Sequence, residues 1–218
     1  MKKLILQIVY NVIIRTFLRV IIGVKFENPN FLLTEKQFVI IANHNSHLDT
    51  MAVMASLPRK IIHKVKPVAA MDYFGKTKLQ EKLSNYFINT LLVKRITATE
   101  KGGENPIRQM IKELDKGHSL IIFPEGTRGN PEVMQPLKKG IALVLLERPL
   151  VKFVPVFMYG MGKALPKGDG LILPFTSTLC FGKPENIEGK SNKEEIITTI
   201  EKRLQELKEK TFANTQYN

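Results

Sequence analysis

Ile41-Ala42-Asn43-His44-Asn45-Ser46-His47-Leu48-Asp49 leaves an apolar run, passes two imidazoles and closes on a carboxylate. Before it, Phe38 to Ile41 is a β-branched run of the kind that forms a buried strand; after it, Met51 to Leu57 reads as a helix stopped by Pro58. The stretch is a strand-to-helix junction, and such junctions bring side chains to the carboxyl edge of a sheet, where α/β proteins bind ligands. Residues five apart in a continuous helix diverge by about 140°, so His44 meets Asp49 only if the chain turns between them. A loop entering a helix near Ser46 supplies that turn. Asp49 then accepts a hydrogen bond from one ring nitrogen, fixes the tautomer and leaves the other nitrogen as a base. Ser46-His47-Leu48-Asp49 equally fits a capping box, in which Asp49 only satisfies a backbone amide at the helix start. On this segment alone both readings stand. His47 reads as a packing or hydrogen-bonding neighbour of the pair rather than as the base.

A second stretch, Phe123-Pro124-Glu125-Gly126-Thr127-Arg128-Gly129, follows another buried run, Ser119 to Ile122, and so stands at a second carboxyl end. Arg128 offers a planar fork of donors suited to phosphate oxygens, and the glycines let backbone amides approach an anion. Glu125 is placed to orient the arginine. Alone, the stretch is equally an ordinary glycine turn with a surface ion pair.

Taken together, the two stretches resemble the glycerolipid acyltransferase family, that of 1-acylglycerol-3-phosphate and glycerol-3-phosphate O-acyltransferases. The family's first block, Asn-His followed by four residues and Asp, appears as Asn43-His44 to Asp49, and its third as Phe123 to Gly129. A fourth, a proline in a valine-rich strand, looks like Val151-Lys152-Phe153-Val154-Pro155-Val156. The second departs from the pattern: Asn89, Leu92, Val93 and Lys94 stand where the family has a glycine and a phenylalanine, and only the terminal Arg95 carries over.

The resemblance implies transfer of a fatty acyl group from acyl-CoA or acyl carrier protein to the hydroxyl of 1-acylglycerol 3-phosphate, a step of phospholipid biosynthesis. His44 is then the general base and Asp49 its orienting partner. Arg128, with Gly126, Thr127 and Arg95, holds the acceptor's phosphate, and Glu125 supports that clamp. No serine or cysteine stands beside the pair, so the expected transfer is direct, without an acyl-enzyme and with both substrates bound at once. No resident cofactor and no metal are expected, since no further ligand cluster accompanies the two histidines. The alternatives are another lysolipid or glycerol 3-phosphate as acceptor, hydrolysis by water, and a non-catalytic peripheral membrane-binding module.

The 218 residues bound one domain with an appendage: an N-terminal amphipathic segment over 1–27 and an acyltransferase domain over 28–218. A net charge of +13 and pI near 9.8 call for anionic partners. No helix-turn-helix, zinc spacing or basic–aromatic strand points to nucleic acid, which leaves membrane lipid and the acyl donor as the expected partners. The single cysteine, Cys180, lies in an apolar strand-like run and reads as a packed thiol.

In the N-terminal stretch the polar residues Lys3, Gln7, Asn11, Arg15 and Arg19 recur every fourth position, a slanting stripe on an otherwise apolar helix. Two arginines within the run argue against a simple span, and no small-residue cleavage site follows it. The reading is a helix lying in the headgroup layer, peripheral or monotopic on the cytoplasmic face of a membrane. The alternative is a helix packed on the protein's own core.

Elsewhere the chain alternates as a layered α/β fold does, a mixed sheet flanked by helices. Val68 to Ala70 and Leu91 to Val93 read as strands, the second delivering Arg95 to the edge, with a helix over Lys76 to Phe87 between them. Asn105, Pro106 and Gly117 bound another helix, with Ile107, Met110, Ile111 and Leu114 on one face. Lys138-Lys139-Gly140-Ile141-Ala142 opens an apolar helix, similar to a family element after the third block; either lysine is set to meet a phosphate, or both are solvated. Residues 158–183 suggest a hairpin or lid. Ser191 with Glu194 fits a capping box for a last helix whose apolar face is Ile197, Ile200, Leu204 and Leu207.

Overall fold

Strand β2 (Phe38–Ala42) is buried at all five positions, because a parallel strand at the centre of a sheet must present apolar side chains to layers on both faces. The computed structural model describes residues 1–71, 88–94, 105–166 and 171–216. In chain order its strands are β1 (Val24–Lys25), β2, β3 (Val65–Ala70), β4 (Leu91–Val93), β5 (Ser119–Ile122), β6 (Lys152–Tyr159) and β7 (Ser177–Phe181). They form one seven-stranded sheet in the order β1-β7-β6-β2-β5-β3-β4. β2 pairs in parallel with β5 on one side, Ile41 opposite Ile122, and with β6 on the other, Ala42 opposite Val156. β7 turns back antiparallel to β6, so the segment expected as a hairpin or lid closes the sheet. The layered mixed sheet expected from the sequence is the fold observed. β3 starts earlier than expected and takes in Pro67, where pairing passes from β5 to β4.

Helices cover both faces. α1 (Lys2–Ile22) and α2 (Asp49–Ser56) pack with Phe38, Ile40 and Ala42 of β2. α3 (Pro106–Asp115), α4 (Gly140–Glu147) and the long α6 (Lys193–Gln216) cover the face of Val39 and Ile41. A short helix, α5 (Met161–Ala164), follows β6. The helix signals hold locally: Asn105 Oδ1 accepts from the Ile107 amide at 2.8 Å, with Pro106 in the first turn of α3. At α6 the cap moves one residue along. Asn192 Oδ1, not the Ser191 hydroxyl, accepts from the Glu195 amide at 2.8 Å, while Glu194 turns to Lys139 at 2.6 Å. The helix expected over Lys76 to Phe87 lies outside the described residues.

In α1 the direction of the polar stripe differs from the sequence reading. Gln7 Nε2 donates to Arg59 O, Asn11 Nδ2 to Leu57 O and Arg15 Nη1 to Ala55 O, at 2.9, 3.0 and 2.9 Å. The middle of the polar stripe therefore faces the protein, not a headgroup layer. The physical reason is the end of α2: Pro58 stops that helix and leaves carbonyls without intrahelical partners, and the stripe satisfies them. Turns of π type over Val9–Ile14 and Leu18–Ile22 underwind α1, which moves its period from 3.6 towards four and aligns residues spaced by four. Leu6, Tyr10, Leu18 and Ile22 are buried, while Leu4, Val12, Ile13, Val20 and Ile21 lie on the outside.

At the opposite sheet edge from His44, Glu113 of α3 gathers Lys66 and Lys116, each at 2.7 Å, and His118 at 2.9 Å. Burial by itself would raise the carboxyl; the hydrogen bonds from Lys116 and Lys66 overcome this and lower it from 4.5 to about 2. Its contribution to stability is present above the unfolded value and lost as pH falls from 4.5 towards 2. Urea midpoints measured at pH 7 and pH 3 are expected to fall on acidification in the wild type, with a smaller difference in Glu113→Gln. In the core between sheet and α6, Phe153→Ala is expected to cost about 3–5 kcal/mol in the same assay.

Candidate active site

The site begins where β2 ends. Asn43 continues the pairing with β6 through its side chain, Oδ1 accepting from the Met158 amide at 2.7 Å and Nδ2 donating to Met158 O at 3.0 Å. An amide side chain thus stands in for a backbone unit, and the backbone is released to turn. His44 follows, and both its main-chain groups are held by the Phe123–Gly129 turn: its N–H donates to Glu125 Oε1 at 2.8 Å, and its carbonyl accepts from Gly129 at 2.9 Å. The imidazole stacks on Phe123 with centroids 4.3 Å apart.

Asp49, the first residue of α2, is fully buried. Its Oδ2 lies 2.9 Å from His44 Nδ1 and also accepts from the amides of Asn45 at 2.7 Å and Ser46 at 2.8 Å. A carboxylate oxygen receiving two amide protons is an acceptor for the third contact as well, so His44 carries its proton on Nδ1 and keeps the Nε2 lone pair. The capping bond and the imidazole bond coexist on one oxygen. Ser46 Oγ donates to Leu165 O at 3.0 Å and Asn45 Nδ2 donates to Asn130 O at 2.5 Å. Gly162 of α5 comes so close that a Cβ there would stand 2.9 Å from Asn45 Cβ. The loop is braced from three directions.

Glu125 is 3 % exposed, and its two oxygens accept from the main chain, Oε1 from His44 and Oε2 from Gln135 at 2.9 Å. The sequence reading had it orient Arg128; the structure puts its carboxylate on the backbone of His44 and Gln135. Burial pushes the Glu125 carboxyl up, against the pull of those two amides. His47 is exposed as a residue, and partial desolvation of its imidazole, followed by the Arg128 guanidinium and His44, lowers it. Thr127 is exposed, and Gly126 holds φ +73°, a conformation that suits glycine. Arg95 lies outside the described residues.

Asn43, Asn45 and Phe123 were in the quoted motifs without a role. A buried amide directly after a strand was the available signal for Asn43. Cys180 is buried in β7, packed with Phe157 and Leu207, its thiol pushed up by desolvation. Among the described residues no group of three or more His, Cys, Asp or Glu side chains is placed to hold a metal.

A mostly parallel α/β sheet with a His–Asp pair at the carboxyl edge of β2, backed by a glycine turn carrying an arginine, defines a class of site suited to reactions that use an oriented imidazole. Residues 23–159 match the family model described as Acyltransferase, and the chain belongs to that family. It is 31% identical over 144 residues to a human 1-acyl-sn-glycerol-3-phosphate acyltransferase beta, covering 62% of this chain and 46% of that protein. It is 25% identical over 168 residues to a 1-acyl-sn-glycerol-3-phosphate acyltransferase of Limnanthes alba, covering 76% and 56%. The chain thus spans about half the length of these curated relatives. The fold is that of the 1-acyl-sn-glycerophosphate acyltransferase PlsC of Thermotoga maritima, with TM-score 0.73 at 21% identity, over 92% of this chain and 78% of that one.

Replacing Glu125 by Ala strips the acceptor from two buried amides, a loss of about 1–3 kcal/mol each if unmet by water. Glu125→Ala is expected to lower the melting temperature, read by circular dichroism, and to lower turnover by the same purified sample.

Proposed function

We propose that the chain transfers a fatty acyl group from a thioester, carried by coenzyme A or acyl carrier protein, to the free hydroxyl of 1-acylglycerol 3-phosphate. The observation that carries the reading is the 2.9 Å contact of His44 Nδ1 with Asp49 Oδ2 at the carboxyl edge of β2. His44 Nε2 takes the proton of the acceptor hydroxyl as its oxygen attacks the thioester carbonyl, and the thiol leaves. Asp49 holds the tautomer and stabilises the imidazolium. Phe123 and the Glu125–His44 amide bond keep the ring from turning away. Arg128, with Gly126 and Thr127, binds the acceptor's phosphate, and Arg95 joins them. The proton and acyl group pass directly: Ser46 meets Asp49 through its main-chain amide while its hydroxyl donates to Leu165 O, and among the described residues no serine hydroxyl or cysteine thiol is bonded to the pair.

The same reading sets α1 on a membrane. The helix is 21 residues long and apolar enough to cross one by length and composition, but its polar middle is bonded to the protein while Leu4, Val12, Ile13, Val20 and Ile21 point outward. That inversion favours α1 lying in one leaflet with Val20, Ile13 and Leu4 towards acyl chains. The net charge of +13 suits an anionic cytoplasmic leaflet.

Purified protein with acyl-CoA or acyl carrier protein, offered lysophosphatidate or glycerol 3-phosphate in vesicles, tests the first part. His44→Ala is expected to lose transfer by roughly 10²- to 10⁴-fold while keeping its fold, and Asp49→Asn by a similar factor through the wrong tautomer. Transfer that survives in His44→Ala removes the base role. Co-sedimentation with anionic vesicles tests the second part: the double change Ile13→Glu and Val20→Glu is expected to leave the protein in the supernatant.

A further inference from the structure

Lys138 lies across the glycine turn of the site. Its N–H donates to Pro124 O at 2.9 Å, and its side chain passes directly over Gly126. A Cβ at Gly126 would stand 2.5 Å from Nζ, 2.7 Å from Cε and 3.0 Å from Cδ. The glycine therefore does two things: it takes the φ of +73° that the turn requires, and it leaves the space an ammonium occupies.

The two lysines that open α4 are not equivalent. Lys139 is an exposed ion pair with Glu194 at 2.6 Å, on the side of α6. Lys138 turns the other way, onto the Glu125–Gly126–Thr127–Arg128 stretch, and among the described residues its ammonium meets no carboxylate. Gln135 is bonded to Glu125 Oε2, so the segment leading to Lys138 is tied to the turn at both ends. A long side chain is thereby brought to one place over Gly126, in the turn that carries Arg128 two residues later.

We propose that Lys138 sets the specificity of this site for a phosphate monoester, its Nζ donating to an oxygen of the acceptor's phosphate while Arg128 grips another. The inference rests on the acyltransferase reading above and adds the residue that recognises the dianion. The division of labour follows from chemistry: guanidinium fixes orientation through its fork, and ammonium supplies a compact point charge. Lys138 takes no part in proton transfer at His44, so its removal acts on acceptor binding.

Steady-state kinetics of the full chain with lysophosphatidate and acyl-CoA in mixed micelles, for wild type, Lys138→Met and Lys138→Arg, tests this. Lys138→Met is expected to raise KM for lysophosphatidate roughly 10- to 100-fold, the loss of one hydrogen bond between charged groups. Its kcat, its KM for acyl-CoA and its melting temperature stay near wild type, and Lys138→Arg recovers most of the acceptor KM. An unchanged acceptor KM overturns the proposal, as does a fall confined to kcat. A rise that falls on acyl-CoA instead assigns Lys138 to a phosphate of the donor and overturns it too. A wild type that acylates 1-acylglycerol, which lacks the phosphate, as readily as lysophosphatidate defeats the phosphate reading of the whole site, and this is seen without any variant.

Discussion

One oxygen atom organises the loop between β2 and α2. Asp49 Oδ2 accepts from His44 Nδ1, from the Asn45 amide and from the Ser46 amide, and those three bonds wind the chain between β2 and α2 around a single charge. The amide bonds set the loop's path, and the path brings the imidazole to the same acceptor. As the first residue of α2, Asp49 also stands at the positive end of a helix dipole, worth roughly 0.3–1 kcal/mol to a carboxylate. Cap and orienting partner are one role because the same turn of backbone satisfies both.

The rest of the site hangs from that loop through main-chain groups. Glu125 reaches from β5's carboxyl end to hold the amide of His44, Gly129 holds its carbonyl, and Phe123 supports its ring. Adjacent parallel strands make this possible: β2 lies between β5 and β6, so the turns that follow β2 and β5 emerge side by side, and Asn43 reaches Met158 of β6 on the other flank. His44 is fixed through its main-chain groups by residues remote in sequence.

α1 extends the same logic to the far end of α2. Asn11 and Arg15 bond carbonyls at the end of the helix whose first residue is Asp49. The apolar outer face of α1 is thus joined to Asp49 through one short helix. The outer face of α1 and the His44–Asp49 pair are separated by the length of α2, about 12 Å for eight residues at 1.5 Å each.

Patterning in the sequence determined the strands, because β-branched runs such as Phe38 to Ile41 and Ser119 to Ile122 are stable only when buried on both faces. It determined the helix ends at Asn105–Pro106 and Pro58 through local backbone chemistry, and it brought His44, Asp49 and the glycine turn to notice through spacing. Tertiary structure alone decided which partner each polar group found. The stripe of α1 turned inward because Pro58 had left carbonyls unmet at a distant helix end, and Glu125 turned to the backbone of His44 because β2 and β5 are neighbours. Asn192 took the cap expected of Ser191, with Glu194 drawn to Lys139, and Lys138 was separated from Lys139 by a glycine twelve residues upstream. Periodicity reports which side of an element is apolar; a hydrogen bond goes to whichever unsatisfied group the packing of distant elements brings near, and no local pattern records that.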